Sequence, residues 1–194
     1  LNGLSSILER PFQNCNYHLV MPRPDRSRAA LVDTAALLFR RQGYAATGVN
    51  QILEEAQVRA GSLYHHFPGG KAELAAAVID SVGGGISALL RKLLARDVPA
   101  ADIIDRWVDA MAAMLGADER DGCPIEPIAT ESVTASPVVR SASARAFGDW
   151  IDAVADRLRA DGRPHDQAEE TARAVISVIE GALLISRVTG EPSA

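Results

Sequence analysis

The sequence predicts an all-α protein, with an N-terminal three-helix unit containing a helix-turn-helix and a larger helical C-terminal unit. Three observations carry this reading. From Arg26 onward, apolar residues recur at helical spacing in one segment after another. Gly43, Pro68-Gly69-Gly70 and Gly162-Arg163-Pro164 punctuate those segments. Residues 47–74 read as a short helix, a tight turn, a second short helix and the opening of a third.

The elements follow in order. Leu31, Ala35, Leu38 and Phe39 lie at i, i+4, i+7 and i+8, one face of a helix that Gly43 ends. Val49, Ile52, Leu53 and Ala56 form the inner face of the next helix, with Thr47 as its expected cap. Gly61 to Phe67 makes the third, and Pro68-Gly69-Gly70 stops it. Lys71 to about Arg96 reads as one long helix interrupted at Gly83-Gly84-Gly85, either a locally poor stretch or a hinge.

Ala101 to Leu115 follows, with Ile104, Trp107, Val108, Met111 and Leu115 inward. Asp118 to Pro124 is loop, and a helix is expected from Pro124 to about Thr134, with a strand as the alternative on its Thr/Val content and Pro127. Ser136-Pro137 is a cap followed by proline at the first helical position. That helix runs to about Arg159, with Ala144, Phe147, Ile151, Val154 and Leu158 on one face. Asp166 with Glu169 gives a capping-box-like start to the last helix. From Ala172 to Val188 this helix is apolar nearly all round, which requires burial within the subunit or against another one.

Composition bounds the function classes. A chain of 194 residues can bury one sizeable core or two small ones, and 47% hydrophobic content is ordinary for a globular protein. No apolar run reaches roughly 18 residues without a charge or glycine, so no membrane span is expected. Cys15 and Cys123 lie far apart in no CxxC or Cys/His pattern, which implies neither a disulfide framework nor a zinc site and suits a reducing cytoplasm. No metal and no cofactor are expected. The first 20 residues lack helical periodicity and precede Met21-Pro-Arg-Pro; they read as an extension of uncertain origin.

The net charge of −5 is unevenly spread. Residues 21–80 hold seven Lys/Arg against six Asp/Glu, whereas residues 81–194 hold twelve against eighteen. The acid sits in the C-terminal part, so the N-terminal part is free to approach DNA. Within it, the helix over 61–67 carries a hydroxyl, a phenol and two imidazoles, with Arg59 just before it and no carboxylate. That inventory suits a helix laid against phosphates and base edges. Taken alone, Tyr64-His65-His66-Phe67 is equally readable as an amphipathic surface segment. The paired histidines are no metal site, because neighbouring positions on a helix diverge by about 100°.

The arrangement decides between these. The string Leu38-Phe39, Gly43-Tyr44, Thr47, Ile52, Ala56, Val58, Gly61-Ser62-Leu63-Tyr64-His65-His66-Phe67, Lys71, Glu73-Leu74 resembles the DNA-binding domain of the TetR family of transcriptional regulators, over about residues 26–75. Phe67-Pro68-Gly69-Gly70-Lys71, Gly122-Cys123-Pro124-Ile125, Phe147 with Trp150, and Glu180-Gly181-Ala182-Leu183 resemble the LmrA/YxaF branch of that family.

The resemblance implies a division into the extension over 1–20, a helix-turn-helix DNA-binding domain over 21–75 and a helical ligand-binding and dimerisation domain over 76–194. By the same resemblance Thr47, Tyr64, His66 and Lys71 would meet phosphates. Arg59, Ala60, Gly61, Ser62 and His65 would face the groove, with Arg59 as base reader because its fork matches the two acceptors of guanine. One position departs from the family: Gln57 stands where glycine is usual, and a left-handed turn there would cost about 1 kcal/mol. The resemblance also implies a homodimer through the last two helices and a small apolar or amphipathic ligand held by the C-terminal domain. Candidate walls are Trp107, Met111, Met114, Cys123, Ile125, Phe147 and Trp150, with Glu131 as polar anchor; for each, ordinary core packing is the alternative. Cys123 has no basic neighbour in sequence to form a thiolate, which argues against an oxidant sensor.

The expectation is therefore a cytoplasmic, ligand-responsive repressor released from double-stranded operator DNA by a small molecule. A regulator of the same fold without small-molecule control is the first alternative, and an α-helical enzyme the second. Against an enzyme, the chain has no Ser/His/Asp order, no EXXH pair and no phosphate loop, and Glu126 with Glu131 is a poor acid/base set.

Overall fold

The computed structural model describes residues 26–117, 122–132 and 134–191, with the side chains of 114–117 left out. The expected extension over 1–20, the loop residues 118–121, and the side chains of Met114 and Leu115 lie outside the described residues. Among the described residues there are eight α-helices and no strand: α1 (Arg26–Gln42), α2 (Val49–Glu55), α3 (Ala60–His66), α4 (Lys71–Leu94), α5 (Ala100–Ala117), α6 (Glu126–Ser132), α7 (Pro137–Ala160) and α8 (His165–Thr189).

The expected face of α1 is buried: Leu31, Val32, Ala35, Leu38 and Phe39. Gly43 ends the helix at φ +87° and donates its N–H to the Phe39 carbonyl, as the left-handed stop requires. Ile52 of α2 and Leu63 of α3 are fully enclosed and pin the two short helices to that core.

α4 is the beam of the molecule, packing on α1 and on α7. It is long and apolar enough by composition to cross a bilayer. Its buried residues, from Leu74 to Leu94, instead belong to the common core. The glycine run does not break it: the helix is continuous from Lys71 to Leu94. Gly83 is buried, and a Cβ there would lie 2.7 Å from the Cβ of Ala146 in α7. Gly83 is thus the point where two helices touch backbone to side chain, and the indole N–H of Trp150 seals it by donating to the Gly83 carbonyl at 2.9 Å.

Two ion pairs flank this contact, Arg145 with Asp80 and Arg91 with Asp156, both offset by 65 residues. Equal offsets mean that α4 and α7 run parallel. Both pairs are about half exposed and contribute little stability themselves. The guanidinium of Arg157 closes the far end, donating to the carbonyls of Leu94, Arg96 and Val98 at 2.5, 2.7 and 2.8 Å. It satisfies acceptors that the end of α4 leaves open, and its charge suits a helix C-terminus.

Four local expectations need correction. The inner face of α7 is Val139, Ala142, Ser143, Ala146, Trp150, Ala153, Val154 and Ala155, while Ala144 points to solvent. Small residues permit the close approach of α4, and an eye for large side chains misplaces the face. Val108 is likewise exposed rather than inward. The cap of α2 is Gly48, not Thr47, with no side-chain bond. The cap of α8 is Pro164, so Asp166 lies inside the first turn and forms no capping box. By contrast Ser136 does cap α7, accepting from the Val139 N–H.

Gly83 and Gly84 therefore predict opposite outcomes for one substitution. Gly83→Ala should destabilise by about 1–3 kcal/mol through overpacking. Gly84→Ala, where a Cβ meets nothing within 4 Å, should stabilise by about 0.5–1 kcal/mol through helix propensity. Denaturant unfolding of the two variants checks both signs.

Candidate nucleic-acid interface

α3 is built to show one face. Leu63 and Phe67, four residues apart, are buried, while Arg59, Ala60, Gly61, Tyr64 and His65 are exposed. Tyr64 keeps 55% of its surface exposed. Ser62 and His66 lie half-buried at the edges. Arg59 precedes the helix in extended conformation (φ −75°, ψ 147°), so its side chain leaves from the N-terminal end of α3. A Cβ added to Gly61 would meet nothing within 4 Å, so no internal contact demands glycine there.

The first turn of α1 holds α3 in place. Ser27 Oγ and His66 Nε2 are 2.8 Å apart, and the Arg28 guanidinium lies 5.3 Å from the centre of the Phe67 ring. The acidic pair Glu54 and Glu55 stands on α2, where Gln51 donates to Glu55 at 2.9 Å. The outward face of α3 carries no carboxylate.

The turn between α2 and α3 confirms the departure seen in the sequence. Gln57 has φ +54°, the one left-handed non-glycine residue described. It bears that strain of about 1 kcal/mol while its N–H donates to Glu54 and the Val58 N–H donates to Leu53.

Several expected site residues are placed differently. Thr47 is fully buried, donates its hydroxyl to the Gly43 carbonyl at 2.7 Å and accepts from Gln42. It braces the loop and presents nothing to a phosphate. Lys71 donates to the Tyr44 carbonyl at 2.6 Å, with its ammonium 4.2 Å from the Tyr44 ring centre. Partial burial pulls its pKa below the ordinary lysine value, with Glu131 acting the other way. Glu131 is exposed and reaches out of α6 to accept the Ala45 N–H at 2.5 Å. It faces the loop after α1, not the interior of the C-terminal helices, so it is no anchor for a ligand there.

Trp107, Cys123, Ile125 and Trp150 are buried in the shared core, with Met111 and Phe147 packed against it. Phe147 and Trp150 meet edge to face at 5.2 Å. Burial and the neighbouring Glu180 push the Cys123 thiol well above its ordinary pKa, the opposite of a reactive thiolate. Glu180 of α8, quoted in the sequence only within a family motif, is a buried acid in the structure. Burial, with Glu126 nearby, pushes its carboxyl up to about 7 against the bonding effect of Cys123. Its Oε2 is shielded from solvent without a hydrogen-bond partner among the described residues. An acid in the middle of an apolar helix was the available signal.

Comparison with known proteins covers both units. Residues 31–78 match the bacterial regulatory proteins of the tetR family, and residues 100–194 match the C-terminal domain of LmrA/YxaF-like transcriptional regulators. The chain is 34% identical over 168 residues to the HTH-type transcriptional regulator Rv0196 of Mycobacterium tuberculosis, covering 83% of this chain and 84% of that one. It is 31% identical over 161 residues to the HTH-type transcriptional regulator LmrA of Bacillus subtilis, covering 82% and 86%. A TetR transcriptional regulator from Legionella pneumophila has the same fold, with a TM-score of 0.74, 22% identity and coverage of 89% and 90%.

Glu180 predicts a pH dependence. Its pKa is higher folded (about 7) than the ordinary 4.5 expected unfolded, so the folded state holds the proton more tightly. Its stabilising contribution is complete below pH 4.5 and is lost as pH rises through about 7. Glu180→Gln should flatten that decline by roughly 2–4 kcal/mol, read as the difference in unfolding free energy between pH 5 and pH 8. A slope equal to wild type would refute the buried acid.

Proposed function

The chain belongs to the TetR family of bacterial DNA-binding transcriptional regulators, in its LmrA/YxaF-like branch, and on that premise we propose that it is a dimeric repressor released from operator DNA by a small molecule. The observation that carries the reading is the outer face of α3: Arg59, Ala60, Gly61, Ser62, Tyr64 and His65 stand outward or at the edge, free of carboxylates, on a helix pinned by Leu63 and Phe67. In this reading α3 enters the major groove. Arg59 reads guanine, Ser62 and His65 meet base edges or phosphate, and Ala60 and Gly61 let the backbone come close. Tyr64 and His66 hold phosphates.

The second copy would dock on α8 and α7. Ala168, Ala172, Ile176, Ile179 and Leu183 turn inward, while Val178, Leu184, Ile185 and Val188 remain exposed, Val188 at 78%. Val178, Gly181, Ile185 and Val188 follow each other at helical spacing, and a Cβ on Gly181 would meet nothing within 4 Å. An apolar stripe with a small residue at its centre suits a closely crossing partner helix. Two copies present two α3 helices, and their separation must match successive grooves about 34 Å apart.

The ligand would enter among Trp107, Met111, Cys123 and Phe147, where Glu180 supplies the polar group and Ile125 and Trp150 are packing. A molecule that binds better to a dimer with misplaced reading helices lowers DNA affinity by shifting the population.

Two measurements test this. Binding to a duplex selected from a genomic pool should weaken steeply with salt, and Tyr64→Ala should weaken it by about three- to tenfold on every sequence; an unaffected Tyr64→Ala protein removes the assigned role. Ile185→Arg should convert the dimer to monomer in sedimentation and reduce DNA affinity by at least about tenfold, since one half-site is then bound alone.

A further inference from the structure

One peptide unit in the loop between α1 and α2 is held at both poles. The Tyr44 carbonyl accepts from Lys71 Nζ at 2.6 Å, and the Ala45 N–H donates to Glu131 Oε2 at 2.5 Å. These two atoms belong to the same amide plane, so a cation at its oxygen and an anion at its N–H both reinforce its own dipole. The grip is wider than two bonds. The Tyr44 ring lies under the ammonium and tilts against Phe39 at 5.3 Å. Glu131 Oε1 occupies the space where a side chain on Gly43 would be, 2.5 Å from an added Cβ.

The charges come from different elements: Lys71 opens α4, and Glu131 sits in α6, 86 residues from Ala45. The loop they hold is stiff. Thr47 ties back to Gly43, and Gln42 bonds both Thr47 and Gln51, so the loop and α2 form one bonded piece. α2 in turn seats α3.

We infer that Lys71 and Glu131 are a pair of positioning residues for DNA binding, which clamp the Tyr44–Ala45 peptide and thereby set the seat of α2 and α3, without touching either DNA or a small molecule. The inference rests on the DNA-binding reading of α3. It replaces two expectations, Lys71 as a phosphate clamp and Glu131 as a ligand anchor, because the geometry turns each charged group toward the loop.

Electrostatics alone and the clamp predict different signs. Removing a negative charge beside DNA strengthens binding by simple attraction, and removing a positive one weakens it. The clamp requires both removals to weaken it. The experiment measures affinity for the selected duplex across a salt series for the full chain, Lys71→Met, Glu131→Met and the double variant. Amide exchange at Ala45 is followed in parallel. Each single variant should bind about three- to tenfold more weakly, and the double variant should lose much less than the product of the two. The salt slope of Lys71→Met should equal that of wild type, whereas loss of a phosphate contact would lower it by about one. Ala45 exchange should quicken in both single variants.

Glu131→Met binding as tightly as wild type or tighter overturns the clamp, as does a Lys71→Met slope reduced by about one. A wild-type protein that selects no duplex overturns the DNA-binding reading itself. A wild type that binds while Glu131→Met matches it overturns the clamp alone.

Discussion

The structure hangs on the closeness of α4 and α7 at Gly83. With no side chain there, α7 lies against the backbone of α4, and the Trp150 N–H locks the register to one carbonyl. The buried residues of α4 lie on both sides of that point, Leu74, Ala75, Ala76, Val78 and Ile79 before it and Ser87, Leu90, Leu93 and Leu94 after it, and the helix packs on both α1 and α7. One rigid helix therefore fixes where the reading unit stands relative to the rest. A protein interior packed this tightly responds to displacement as a unit, because a shift of even a methyl group is felt. Within the glycine run Gly83 is the means of approach, while Gly84 and Gly85 face open space.

Three buried hydroxyls share one pattern: Thr47, Ser132 and Ser143 each return theirs to a carbonyl four residues earlier. Such local bonds remove the cost of burying oxygen and need no distant partner. Glu180 differs, keeping a shielded carboxyl oxygen without a hydrogen-bond partner among the described residues, near Cys123 and Glu126. A buried acid left short in this way is not tuned for stability alone.

What could be read from the sequence follows from which interactions are local. The order of helices, the stop at Gly43, the cap at Ser136 and the strained turn at Gln57 all depend on a few consecutive residues, and all are found in the structure. The outward set on α3 came from the family resemblance, and the burial of Leu63 and Phe67 agrees with it. Thr47 was misjudged because its side chain turned back to Gly43 instead of forward to α2. Glu131 could not have been read at all, as its partner is 86 residues away in a loop. On α7, Phe147, Ile151, Val154 and Leu158 pack on the core as expected, Ala144 does not, and the buried Ala142, Ser143, Ala146 and Ala153 were passed over because small residues carry a weak periodic signal.

α6 gathers these threads. Seven residues are too few to be a stable helix unaided, so tertiary contacts must hold it. Toward its start, Ile125 and Ile128 are fully buried and Glu126 lies 3.9 Å from Arg187 of α8. Toward its end, Ser132 is buried and Glu131 bonds the loop after α1. The same short helix thus has one end among the residues around Cys123 and Glu180 and the other on the support of α2.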